Sequence, residues 1–314
     1  MTLFLSTMNQ MAFLLLLIAI GYILYKVKAV PENASASLSK MENNVFIPAL
    51  VLGTFIENFT TAKLTVAWQF LLAGFIVVGI SIPLAIIASK CCTKDSYLRK
   101  IYTYGLSFSN FGFMGNAVVK ALFPEIFMEY LIFTLPFWML IYVWGVPALL
   151  IPSEGGQQGL KDRLKSFLNP MFIAMLVGMI VGLLSPTLPN FINTAVSSLG
   201  NCMSPVAMLL TGMTIAKIDL KRTFKTFSLY LVSFLRLVAL PLLTILVLVF
   251  LRLPYELAIC AVCAQAMPLG LSPIVVPAGY GMDTTDAAGM TLISHLLSCI
   301  TIPLIFMLFN FVIK

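Results

Sequence analysis

Apolar residues in this chain gather into long, nearly unbroken runs. They do not form the alternating or one-faced patterns of a water-soluble core. Ten such runs stand at 3–25, 39–57, 66–89, 99–122, 127–151, 168–184, 192–216, 226–251, 255–279 and 286–312. A helix needs about 20 mostly apolar residues to cross ~30 Å of hydrocarbon, so the pattern predicts ten transmembrane helices. A membrane β-barrel would instead read as ~10-residue alternating segments.

Composition agrees with this reading. Of 314 residues, 60% are hydrophobic and 10% charged, against about 25% charged in soluble domains. Basic residues are absent before the first run, and Lys26 and Lys28 follow it. A secretory leader has the reverse order, so the first run is expected to stay as a helix with the N-terminus outside. Under ten helices, the odd-numbered loops hold Lys26, Lys28, Lys40, Lys90, Lys94, Arg99, Lys100, Lys161, Arg163, Lys165, Lys217, Lys221, Arg222 and Lys225. The even loops and termini hold Lys63, Lys120, Arg252 and Lys314. Cytoplasmic loops carry the excess of Lys and Arg. Both termini are therefore expected outside a plasma membrane, with the loop between helices five and six in the cytoplasm. The net charge of +7 is thereby a topology signal and not a nucleic-acid footprint.

The chain also matches itself at a spacing of 157 residues. Gly21 falls on Gly178, Asn44 and Pro48 on Asn201 and Pro205, Leu52 and Thr54 on Leu209 and Thr211. Weak internal symmetry marks transporter folds. Five helices per copy is an odd number, so the second copy enters the membrane from the opposite side. The predicted organisation is a first five-helix repeat at 1–151, a cytoplasmic linker at 152–167 and a second, inverted repeat at 168–314. The fold class is all-α and integral to the membrane.

Two equivalent segments cannot continue as plain helices. In helix four it is Ser109-Asn110-Phe111-Gly112-Phe113-Met114-Gly115-Asn116, rich in Gly and Asn, which have other backbone options. In helix nine it is Gln265 through Pro273, where Pro268 and Pro273 each lack an N–H. Broken helices expose unpaired N–H groups at the positive end of the helix dipole, which favours an anion. The half-helices are expected to start near 115–119 and 272–276. Asn110, Asn116, Gln265 and Ser272 would add neutral hydrogen bonds, and Gly112, Gly115 and Gly270 would let the backbone approach. Around Asn44/Pro48 and Asn201/Pro205 the repeated motif reads either as a substrate contact or as a kinked gate helix.

Few charges lie inside the runs. Arg236 sits mid-helix and either attracts the anion or locks the scaffold to polar groups. His295 reads as a structural, hydrogen-bonded histidine or a proton-linked group. All twelve Asp and Glu fall in loops or near helix ends, which disfavours a cationic substrate. Cys260 and Cys263 form a C-x-x-C inside helix nine, read as packing because no second pair completes a zinc site. Cys91 and Cys92 lie at a cytoplasmic helix end, where lipidation is weakly indicated. Asn58-Phe59-Thr60 is a glycosylation sequon, relevant only in a eukaryotic host. No catalytic triad, metal cluster or phosphate loop appears, so neither an enzyme nor a metal or cofactor is expected.

The stretch Ala266-Met267-Pro268-Leu269-Gly270-Leu271-Ser272-Pro273-Ile274-Val275-Val276, with Tyr280 and Pro303, resembles the crossover segment and last helix of the auxin efflux carrier family. Asn110-Phe111-Gly112-Phe113-Met114-Gly115 resembles that family's first crossover, and Ser204-Pro205-Val206-Ala207 with Gly212 and Ala216 its seventh helix. The resemblance implies two inverted five-helix repeats, with helices four and nine crossing at the substrate site and helices one, two, six and seven forming a scaffold, often a homodimer. It implies carriage of small carboxylates, with Asn110 at a ligand-contacting position. Ala117 stands where the family usually has Pro, and the long cytoplasmic loop of the plant carriers is replaced by a short linker. The expectation is thus a secondary transporter for a small organic anion, working by alternating access in the lipid bilayer. Its rivals are a sodium- or proton-coupled symporter and a non-transporting receptor.

Overall fold

The computed structural model describes residues 2–151, 170–184, 188–218 and 220–313. The expected linker at 152–167 lies outside the described residues. Among those described, every named element is helical, and extended pairing is confined to one antiparallel bridge between Ser109 and Leu269.

The helices follow the apolar runs. They are α1 (Thr2–Lys26), α2 (Ala34–Met41), α3 (Ile47–Asn58), α4 (Thr61–Cys92), α5 (Ser96–Ser107), α6 (Asn116–Leu122), α7 (Phe127–Leu140), α8 (Pro170–Leu184), α9 (Asn190–Ile215), α10 (Leu220–Lys225), α11 (Phe227–Phe234), α12 (Leu240–Leu251), α13 (Tyr255–Ala266), α14 (Ser272–Gly279) and α15 (Thr285–Ile313). Among the described residues, five helical segments are long and apolar enough to cross a membrane: Leu3–Lys26, Thr65–Cys92, Pro124–Leu150, Phe227–Leu251 and Thr285–Ile313. Their outer faces suit lipid, since Phe250 and Phe311 are 85% and 86% exposed.

Prolines explain where the regular ladder widens. A proline lacks an N–H and its ring presses on the carbonyl four residues back. Pro48 is preceded by a π-turn over Glu42–Phe46, and Pro241 by one over Leu235–Ala239. Both π-turns contain that fourth residue, Asn44 and Leu237 respectively, so the widened turn takes up the clash.

Small residues bring certain helices together. A Cβ on Gly21 of α1 would collide with the main chain of Leu209 on α9. A Cβ on Gly178 of α8 would lie 3.0 Å from the Leu52 carbonyl and 2.8 Å from Phe55 Cβ on α3. Gly212 meets the Ile18 carbonyl of α1 in the same way. Lipid gives little hydrophobic drive for helix association, so close packing through small residues carries it. The elements α1, α3, α8 and α9 pack together on this basis, and α9 and α1 also reach α6 and α15. The interior is built from α5, the turn before α6, α7 and α13, where Tyr102, Tyr130, Phe133, Cys260 and Cys263 are all 0% exposed.

Candidate functional site

The two interrupted helices meet at their interruptions. Asp95 caps α5, accepting the Leu98 N–H at 2.8 Å. The helix runs to Ser107, and Phe108 is extended (φ −125°, ψ 108°). The chain then re-enters helix through a π-turn at Phe111–Gly115 that leads into α6. In the other half α13 stops at Ala266, and Met267 is extended (φ −70°, ψ 149°). A residue before proline is pushed out of the helical region, so Pro268 stops the helix. Pro273 is the second residue of α14, where its missing N–H costs nothing.

The extended strands lie antiparallel and satisfy one another. The Asn110 N–H donates to the Pro268 carbonyl at 2.7 Å. Ser109 Oγ donates to the Ala264 carbonyl at 2.6 Å, Leu269 N–H to Ser294 Oγ at 3.1 Å, and Thr291 Oγ1 to the Gly270 carbonyl at 3.2 Å. Non-helical backbone at membrane depth persists only where protein or water meets its polar groups, and here protein meets these four.

Arg236 completes that work. It is 0% exposed and points its guanidinium at the C-terminal ends of α5 and α13. Nη1 donates to the Leu106 carbonyl at 2.8 Å, Nη2 to the Gln265 carbonyl at 2.6 Å and to its Oε1 at 2.7 Å, and Nε to the Met267 carbonyl at 3.3 Å. The last carbonyls of a helix have no partner within it and carry its negative dipole end. One cation thus caps two half-helices. Gln265 in turn donates to Ser81 Oγ at 2.6 Å. Of the two readings of Arg236 from sequence, the geometry matches the lock on polar groups. Arg236 and Gln265 are committed to protein atoms.

His295 secures the other side. Its Nδ1 lies 2.8 Å from the Thr291 carbonyl, an acceptor, so Nδ1 carries the proton. Nε2 is then an acceptor, and the Asn110 amide donates to it at 3.2 Å. Asn110 is 2% exposed and is held at the crossing by both its main chain and its side chain.

Several expectations move. The first half-helix returns to regular α geometry at Asn116, inside the expected 115–119, but a π-turn over Phe111–Gly115 leads into it, and the second starts at Ser272. Gly112 and Gly115 face packing partners: a Cβ at either would strike Trp138 or the Tyr130 hydroxyl. A Cβ on Gly270 would meet nothing nearer than 3.8 Å, so close approach does not demand glycine there. Ser272 opens α14 and is half-buried, and Pro273 is buried. Asn44 is exposed, and its amide donates to the Lys40 carbonyl at 2.7 Å. Glu42 lies near the start of its run, as expected of the acids, yet it is 0% exposed in the turn before α3.

A cavity of about 270 Å³ borders the crossing between α6 and α9, lined by Gln10, Asn116, Lys120, Asn201, Ser204 and Pro205 among others. Asn116 is 3% exposed. Its Oδ1 and Ser204 Oγ are buried with no hydrogen-bond partner among the described residues. Lys120 Nζ donates to Asn201 Oδ1 at 3.1 Å. A second cavity of about 290 Å³ shares Leu50, Lys120 and Gly200 and continues to Glu57 and Asn58. Lys120, Ser204 and Gln10 escaped the sequence reading. The available signal was spacing: Lys120 stands four residues after Asn116 and Ser204 three after Asn201, so each pair shares a helix face. A larger apolar groove of about 600 Å³ lies between α4 and α12, but Ser81 and Gln265 on its wall are already bonded to each other.

The family model described as "Membrane transport protein" matches residues 6–306 of the 314. No curated protein matches the chain.

Proposed function

This chain belongs to the auxin efflux carrier family of membrane transport proteins, and from that premise we propose that it is a secondary transporter carrying a small organic anion by alternating access. The observation that carries this reading is the cavity beside the crossing. It joins one cation, Lys120, to two buried polar atoms without partners, Asn116 Oδ1 and Ser204 Oγ. Buried polar groups are normally hydrogen-bonded, so unpaired ones on residues that line a cavity suit a polar ligand, Ser204 Oγ an acceptor and Asn116 Oδ1 a donor.

A carboxylate would accept from Lys120 Nζ and Ser204 Oγ–H, drawing the lysine from Asn201. The Asn116 amide would read a second polar group. A volume of about 270 Å³ suits a small acid. Asn110, Pro268, Gly270 and Pro273 shape the crossing that positions Asn116, and Arg236, Gln265 and His295 hold it rigid.

Ten spans in two inverted repeats, 1–151 and 168–314, fit this mechanism. Supporting them is a reciprocal pair of contacts: Gly21 meets Leu209 and Gly178 meets Leu52, and the offset of 157 residues exchanges one contact for the other. The crossing elements would move against α1, α3, α8 and α9, and α9 supplies the Asn201–Ser204 wall. By the charge bias of the loops, both termini lie outside a plasma membrane and the Glu57 end of the cavities opens outward.

The test is uptake of labelled mono- and dicarboxylates by proteoliposomes. Saturable flux of one acid, with KM raised at least tenfold in Lys120→Ala and Asn116→Ala while both variants remain monodisperse, is expected. Unchanged KM in both would sink the site, and no flux of any carboxylate would sink the substrate class.

A further inference from the structure

Glu42 is a buried acidic group that the transport site leaves unused. It stands in the π-turn between α2 and α3, is 0% exposed, and neither carboxyl oxygen has a hydrogen-bond partner among the described residues. The helices packed on the turn offer no counter-charge: α8 and α9 contain no acidic or basic residue. On its own segment, Lys40 of α2 is exposed and Glu57 lies at the far end of α3. Cys202 of α9 is exposed. Lys217, just past α9, is tied to the Glu32 carbonyl at 3.3 Å and to Ser35 Oγ at 2.8 Å. An ionised carboxyl without a partner in such surroundings is far costlier than a protonated one. The carboxyl therefore holds its proton in this conformation.

Its place relative to the cavity follows from two contacts. A Cβ on Gly200 would lie 2.9 Å from Leu50 Cα, and Lys217 reaches Ser35, so α2–α3 runs antiparallel along α9. Interpolating between these contacts sets Glu42 beside about residues 208–210. That is roughly a turn, ~6–8 Å along the axis, beyond Ser204 and Pro205 on the cavity wall. The turn is also of the π type, which inside helices often marks functional positions.

We propose that Glu42 is a proton site coupled to the anion site, so that each anion moves with one proton. The proposal rests on the transporter reading above. An anion bound at Lys120 and Ser204 repels an ionised carboxyl about one helical turn away along the α9 axis, and therefore binds better when Glu42 is protonated. Such linkage is reciprocal: release of the anion favours loss of the proton. The O–H bond of Glu42 breaks when the alternate conformation opens the turn to water. The proton passes to that water, and the carboxylate is reprotonated before the next anion binds.

The full chain, reconstituted in liposomes, decides it with radiolabelled malonate, succinate and lactate under an imposed inside-alkaline gradient. In the wild type, the transported acid is expected to accumulate severalfold above its equilibrium level. Glu42→Gln, a permanent mimic of the protonated form, is expected to run counterflow without gradient-driven accumulation. Accumulation that survives in Glu42→Gln, or a wild type indifferent to the gradient, overturns the proton site and leaves the transporter reading standing. No counterflow in the wild type overturns both. If Glu42→Gln loses counterflow too, Glu42→Asp decides: restored accumulation with a displaced pH midpoint supports the proposal, and no restoration overturns it. Labelling by dicyclohexylcarbodiimide, which attacks protonated carboxyls in apolar surroundings, reads the same proton without transport. Modification mapped to Glu42 at neutral pH supports the assignment, and an unmodified Glu42 counts against it.

Discussion

The main-chain N–H of Asn110 and the carbonyl of Pro268 meet at 2.7 Å, joining two chain segments 158 residues apart in the middle of a helical protein. The bond exists because Pro268 ends one helix and frees carbonyls that the other interruption can use. It makes the two broken helices one mechanical unit, with the Asn116 cavity attached.

Arg236 is expected to hold that unit together. Arg236→Met removes the donors that cap the Leu106, Gln265 and Met267 carbonyls, and each buried acceptor left unmet costs ~1–3 kcal/mol. The variant should unfold in detergent at a markedly lower temperature, and Arg236→Lys should recover only part, lacking the planar fork. A raised KM with unchanged melting would instead make Arg236 a substrate ligand.

Gly115 and Tyr130 form a second test of the crossing. A Cβ at 115 strikes the Tyr130 hydroxyl, which itself donates to the Phe111 carbonyl at 3.1 Å. Gly115→Ala should destabilise by ~1–3 kcal/mol through overpacking. In a Tyr130→Phe background the same change should cost less, because the clashing oxygen is gone. A double-mutant cycle on chemical denaturation reads the coupling, and additive effects would contradict the contact.

His295 should act through Asn110 and not on the substrate directly. His295→Gln retains a polar acceptor for the Asn110 amide, whereas His295→Leu leaves that amide unpaired. Initial uptake rates are expected to fall severalfold in the leucine variant and to be largely kept in the glutamine variant. Equal loss in both would point to a role that needs the imidazole itself.

The reciprocal glycines test the internal symmetry. Gly21→Ala and Gly178→Ala both drive a methyl group towards backbone across a helix pair, and backbone cannot yield as a flexible side chain can. Both variants should lower the melting temperature by similar amounts. A large effect at one position alone would argue against equivalent roles.

Much of the fold was legible because its causes are local. Long apolar runs announce helices for lipid whatever packs beside them, and the described helices follow those runs. Pro268 fixes where α13 ends through its own ring and missing N–H. The first interruption was harder, since no proline marks it. Gly112 and Gly115 lie in a π-turn at 111–115, within the segment read as unable to continue as a plain helix, and the chain opens fully at 108–110, where Ser109 and Asn110 find partners across the crossing. What only the tertiary structure decided is where the polar side chains look. Helical spacing set Arg236 and His295 at mid-span and Glu42 and Lys120 towards helix ends. Only the packing of α5, α9, α13 and α15 determines that the guanidinium caps two helices, that the imidazole holds Asn110, that Lys120 borders a cavity and that Glu42 meets no partner. A side chain's partner is set by segments distant in sequence, and periodicity along one helix carries no information about them.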